Sequence, residues 1–130
     1  MQELLFKDEY PIFTMTIKKK ETSFSTAQEI FNALHAKILA HPVATYIGLF
    51  DHYEHTSGLE SGEISSDIVD AKNILFCFGK ELLAAEMLAV RPRSIGVAER
   101  DNDFVLSFLK APNPAANEAM TTWASSLRDL

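Results

Sequence analysis

The sequence predicts an α+β fold: a two-layer sandwich with a mixed or mainly antiparallel sheet of about five strands and helices on one face. Three observations support it. Segments alternate in the order strand, helix, strand, loop, strand, helix, hairpin, helix. Asp101-Asn102-Asp103 separates two apolar segments, as in an antiparallel hairpin. A chain of 130 residues that is 47% hydrophobic suits one core. We therefore expect residues 1–130 to form a single α+β domain.

In the first half of the chain, two strands flank one helix. Residues 11–20 alternate apolar and polar side chains, which predicts a half-buried strand. Ser25 and Gln28 suit a capping box at the start of a helix that runs to about residue 40. Residues 43–51 are apolar on both strand faces, which predicts an interior or doubly covered strand. The aperiodic residues 55–66 are predicted to form a functional or mobile loop.

The second half predicts three strands and two helices. We expect a buried strand over 73–78, a helix over 81–90, and a hairpin whose strands cover 93–99 and 104–109. Asn113-Pro114 supplies an N-cap and a first-turn proline for a terminal helix. The apolar residues of this helix recur at helical spacing and are expected to be buried: Ala116, Met120, Trp123 and Leu127.

Charge and cysteine content limit the classes of function. A net charge of −6 disfavours nucleic-acid and membrane partners, because both attract basic proteins. The N-terminus lacks the pattern of a secretory signal, and no apolar segment is long enough to span a bilayer, so we expect a cytoplasmic protein. The single Cys77 excludes an intrachain disulfide, and its position in an apolar strand predicts core packing.

The densest polar segment is Asp51-His52-Tyr53-Glu54-His55, where the second predicted strand leaves the sheet. Imidazole and carboxylate groups bind zinc, iron and nickel, so His52, Glu54 and His55 are candidate metal ligands, with help from another chain. His52 is also a candidate general base. A solvated or hydrogen-bonded polar strand end is the structural alternative.

Two basic features are weaker candidates. Gly79-Lys80 opens the predicted helix over 81–90, whose first N–H groups suit an anion. Arg91 and Arg93 suit a carboxylate, although surface ion pairing is the default expectation for them.

Three segments resemble the domain of unknown function family 302. These are the capped helix leading to a strand that ends Phe50-Asp51-His52, the segment Ile74-Leu75-Phe76-Cys77-Phe78-Gly79-Lys80, and the hairpin over 92–109. The chain departs from that family in its loop after His55 and its alanine-rich second helix. The resemblance implies an α+β fold and dimerisation, without an established activity.

The leading functional hypothesis is therefore a homodimeric module that binds a small molecule and needs no cofactor. Its ligand is expected in an apolar cleft beside Asp51 and His52, lined by Tyr46, Phe50 and Tyr53. One alternative is a metal- or haem-binding protein that uses His52 and His55. The other alternative is a small enzyme with His52 as general base.

Overall fold

The computed structural model describes residues 1–130 and contains one antiparallel sheet with the strand order β1-β2-β6-β5-β4-β3. The strands are β1 (Gln2–Phe6), β2 (Tyr10–Lys18), β3 (Thr45–Asp51), β4 (Asp70–Cys77), β5 (Arg93–Glu99) and β6 (Asp103–Leu109). The helices are α1 (Ala27–Ala40), α2 (His52–Ser57) and α3 (Pro114–Ser125), and 3-10 turns cover Lys19–Glu21 and Ala85–Val90. No helix has the length and apolar composition needed to cross a membrane. The predicted α+β sandwich is confirmed, with six strands rather than about five.

The core lies between one face of the sheet and the helices α1 and α3. Strand alternation and register place Ile17, Phe104, Val97 and Phe76 on this face, which we call the covered face. Apolar side chains from both helices complete the core, including Ile30, Leu34 and Ile38 from α1 and the predicted Ala116, Met120, Trp123 and Leu127 at the C-terminus. The burial predicted for the terminal helix is therefore confirmed.

Helix α1 starts one residue later than predicted. Its N-cap is Thr26, whose side chain accepts a hydrogen bond from the Glu29 backbone N–H at 3.2 Å. The Glu29 carboxylate accepts from the Thr26 N–H at 3.1 Å, so Thr26 and Glu29 form the capping box in place of Ser25 and Gln28. Glu99 also accepts from the first N–H of the helix, at Ala27, and this bond ties α1 to β5.

Strand β3 corrects the prediction for residues 43–51. It pairs only with β4, so it is an edge strand rather than an interior one. Its register with β4 shifts between Tyr46 and Gly48, and this bulge turns the two ends of β3 to different faces. Tyr46 pairs with Phe76 and lies on the covered face, whereas Phe50 pairs with Asn73 and lies on the opposite one. We call the opposite face the open face.

The helix predicted over 81–90 is wrong. Residues 80–84 are irregular, and a 3-10 turn follows at Ala85–Val90. Leu82, Leu83 and Leu88 are 60%, 80% and 62% exposed, so these leucines have no apolar surface to pack against. A helix this short gains most of its stability from packing, which is missing here.

Cys77 also departs from its expected environment. It is half-buried rather than in the core, because it pairs with Thr45 and alternates with the fully buried Phe76. Its Sγ accepts a hydrogen bond from the Gly79 N–H at 3.2 Å.

Candidate ligand-binding site

Asp51 ends strand β3 and begins helix α2. Its Oδ1 accepts a hydrogen bond from the Glu54 N–H at 3.0 Å, as an N-cap side chain does. The chain therefore turns into a helix at His52, directly where β3 ends. Helical spacing puts His52 and His55 on one side of α2 and moves Glu54 away from them. The two imidazole rings lie 6.2 Å apart.

The predicted apolar cleft does not bring its aromatic residues together. Tyr46 packs under α1, where its ring stacks on His35 at a centroid distance of 3.7 Å. Phe50 lies on the open face of the sheet, with its ring centroid 5.3 Å from those of His52 and His55. Tyr53 and His52 line a separate cavity of about 260 Å³ with Ile64 and Ile68.

The metal and general-base hypotheses for this segment stay predictions. The structure holds no group of three His, Cys, Asp or Glu side chains placed to bind one metal ion, so His52, Glu54 and His55 do not complete a site within one chain. His52 Nδ1 lies 3.0 Å from the Thr56 hydroxyl, an interaction that fixes the orientation of the imidazole ring.

A more complete site lies at the other end of the covered face. We call it the Arg93 cleft: a cavity of about 270 Å³ between the start of β5, the 3-10 turn at Ala85–Val90 and the residues that lead into α3. Its wall is largely apolar and is formed by Phe78, Met87, Val90, Ala111, Pro112 and Ala116. A neighbouring hollow shares Phe78, Met87, Arg91, Asn113 and Ala116 with it and extends to His41, Lys80 and Glu81.

Arg93 is the decisive polar residue of this cleft. It is only 8% exposed, and its guanidinium donates to the backbone carbonyls of Val90 and Leu109. The Nε–H is buried without any acceptor. Burial lowers the pKa of this guanidinium from its ordinary value, because the charged form loses hydration. A buried charge normally has a counter-charge, and Arg93 has none.

The surroundings of Arg93 favour negative charge. Arg91 also lines the cleft, and its Nη1 donates to the Glu81 carbonyl at 2.5 Å. The expected ion pairing of Arg91 and Arg93 is wrong, since neither forms a salt bridge. The ten residues around the 270 Å³ cavity include both arginines and no Asp or Glu. Helix α3 begins at this wall with the N-cap Asn113, so its positive dipole end adds to the field.

The candidate anion site at Gly79-Lys80 lacks its helix N-terminus, because no α-helix begins there. The helix N-terminus that does face the cleft belongs to α3. Asn117, one turn into α3, fixes the adjoining wall: its Oδ1 accepts from the Ala111 N–H at 2.7 Å, and its Nδ2 donates to the Ala111 carbonyl at 2.8 Å.

Comparison with known protein families identifies the family of this chain. Residues 1–129 match the model of a family of unknown function, DUF6858. The chain belongs to DUF6858. No curated protein matches it.

The resemblance of this DUF6858 chain to family 302 is therefore wrong. The segments on which the resemblance was based are short, and two of them have different structural neighbours from those that the resemblance implied. Asp51 ends β3 but also caps helix α2, and Phe78-Gly79-Lys80 leads into an irregular segment instead of a helix. The hairpin is a motif common to many unrelated folds.

The charge cluster around Lys72 of the DUF6858 chain predicts a pH-dependent stability. Lys72 Nζ lies 3.2 Å from both Asp51 and Asp70. The Glu54 N–H holds the pKa of Asp51 below its ordinary value, burial opposes this, and Lys72 lowers it further. Burial alone would lower the pKa of Lys72, but the two carboxylates outweigh it and raise that pKa.

We expect Asp51→Asn to lower the free energy of unfolding by about 1 kcal/mol near neutral pH, because Asn keeps the cap but loses the charge. Because the pKa of Asp51 is lower in the folded state than the ordinary value of 3.8, its carboxylate stabilises the folded state above that pH. This stabilisation is lost as the pH falls through the folded-state pKa. The deficit of Asp51→Asn should therefore shrink below about pH 4. Urea titrations across pH measure it. Asp51→Ala, which also removes the cap, should keep its deficit at low pH; equal behaviour of both variants would contradict this account.

Proposed function

We propose that this chain is a binding module for a small organic anion, which it holds in the Arg93 cleft. The observation that carries this proposal is a nearly buried arginine that lines a largely apolar cavity without a carboxylate partner. The proposal keeps the small-ligand function expected from the sequence and moves its site away from the Asp51–His55 segment.

Charge supports an anionic ligand. Burying a guanidinium without a counter-charge costs free energy, and the two carbonyl acceptors repay only part of that cost. A guanidinium carries five N–H donors, so Arg93 keeps donor capacity beyond Val90 and Leu109. The chain carries 18 acidic residues, yet none of them lies against the 270 Å³ cavity. A bound carboxylate or phosphate would supply the missing negative charge.

Shape and lining indicate the rest of the ligand. Ligand cavities usually measure roughly 300–1,000 Å³, so a volume of about 270 Å³ suits a small molecule. Phe78, Met87 and Val90 offer an apolar surface opposite the cationic groups. The ligand class supported best is therefore a small carboxylate or phosphate ester with a compact apolar body.

The test uses three ring compounds that differ in charge: benzoate, phenyl phosphate and neutral benzamide. We expect at least one of the two anions to shift the NMR signals of residues around the cleft, and benzamide to bind more weakly. Arg93→Met should weaken anion binding about 10- to 100-fold, which corresponds to ~1.5–3 kcal/mol for a charged hydrogen bond.

Arg128→Met is the matched control, because it removes the same charge from the exposed C-terminal end of the chain. It should leave the affinity unchanged. A preference for benzoate over phenyl phosphate, or the reverse, identifies the acidic group. Equal binding of benzamide and the anions, no binding of either anion, or an unchanged affinity in Arg93→Met would overturn the proposal.

A further inference from the structure

The central rows of the open face carry no charged side chains. Cross-strand register lines up Gln2, Thr14, Ser107, Gly96, Asn73 and Phe50 in one row across all six strands. The neighbouring rows on the four inner strands are equally free of Asp, Glu, Lys and Arg: one contains Thr16, Val105, Ala98 and Ala71, the other Ile12, Leu109, Ser94 and Leu75. In a chain that is 23% charged, the charged side chains avoid this whole area.

The helices of the structure leave most of this area uncovered; only its corner at Ala71 and Phe50 contacts α2. Helices α1 and α3 pack on the covered face, and the short α2 with residues 63–68 lies at the corner marked by Ala71. Leu4 and Leu109 add apolar surface, and the centre of the face is made of small residues such as Ser107 and Gly96. Depletion of charge around an uncovered patch is typical of the centre of a protein interface.

We propose that a second copy of this chain covers the open face, so that the two sheets pack face to face in a symmetric dimer. Strand spacing and rise make the face roughly 24 Å by 24 Å, or about 600 Å², which with flanking loops approaches the ~800 Å² per partner of a standard interface. Small central residues allow two sheets to pack about 10 Å apart.

Charge and symmetry favour a second copy over another partner. Each copy carries a net charge of −6, and contact through the uncharged rows keeps the like charges of the two copies apart. An acidic or basic partner would find no counter-charge on these rows. A two-fold contact also brings the same patch of both copies together, so uncharged rows face uncharged rows. Arg93 lies on the covered face, and the dimer leaves its cleft accessible.

The test measures molar mass by light scattering and sedimentation over a wide concentration range. We expect the wild-type protein to have twice the chain mass of 14.5 kDa. Ser107→Arg places a charge at the centre of the open face and should yield a monomer with an unchanged far-ultraviolet circular dichroism spectrum. Thr122→Arg, an equivalent change on the exposed side of α3, should stay dimeric.

Cys77 provides a second readout, because this single cysteine lies on the open face at the border of the uncharged rows, next to the row of Leu75. Its reaction with a chromogenic disulfide reagent should slow as the wild-type protein concentration rises. The same reaction should be fast and independent of concentration in Ser107→Arg. A monomeric wild-type protein, a dimer that survives Ser107→Arg, or a dimer that Thr122→Arg dissociates would overturn the proposal.

Discussion

Phe76→Ala is expected to lower the free energy of unfolding by about 3–5 kcal/mol, the cost of removing a large aromatic side chain from a packed core. Phe76 is fully buried on β4. Its ring centroid lies 5.6 Å from that of Trp123 and 5.5 Å from that of Phe78, so the change leaves a cavity between the sheet and α3. A loss of this size is a large part of the stability of a domain of this length.

Urea denaturation followed by Trp123 fluorescence and by circular dichroism measures the effect. Leu39→Ala is the matched control, since Leu39 is 68% exposed on α1 and should change the stability by less than about 0.5 kcal/mol. A loss below about 1 kcal/mol for Phe76→Ala would mean that the neighbouring aromatic rings refill the space.

Asn117→Ala is expected to destabilise the protein by about 2–4 kcal/mol, because it leaves two buried backbone groups without partners. Asn117 and Ala111 are both buried, and the two hydrogen bonds between them are the only ones that the side chain makes. The wall from Ala111 to Asn113 should then move, so benzoate or phenyl phosphate should bind more weakly although Arg93 is intact.

Thermal and urea denaturation measure the loss of stability, and hydrogen exchange at the Ala111 amide locates it. Asn32→Ala is the control: Asn32 accepts a bond from Gln28 on the exposed side of α1, so little should change. If Asn117→Ala keeps wild-type stability and the Ala111 amide stays protected, a water molecule has replaced the side chain.

Local signals account for the elements that the sequence predicted correctly. The alternation of β2, the turn between β5 and β6 and the Asn113-Pro114 start of α3 act over a few residues. Strand β1 was missed because its turn to β2 contains Lys7 and Asp8 at positive φ, and lysine is not a usual signal for such a turn. Helix α2 had a signal that was not used: Asp51 followed three residues later by Glu54 suits a helix start.

The candidate site could be predicted only in part. Arg91 and Arg93 were recognised as a possible carboxylate site. The environment of Arg93, however, depends on residues distant in sequence: Phe78 after β4, Leu109 in β6 and Ala116 in α3. The bulge between Tyr46 and Gly48 separated the aromatic residues of the predicted cleft, since one extra residue reverses strand alternation.

The sequence by itself determined the fold class, the hairpin and the buried side of the terminal helix, because periodicity and turn chemistry are local properties. Only the tertiary structure decided that β3 is an edge strand, that residues 81–90 form no α-helix and that Arg93 lies buried without a counter-charge. Each of these depends on which distant segments pack together, and packing rather than local propensity determines burial and charge environment.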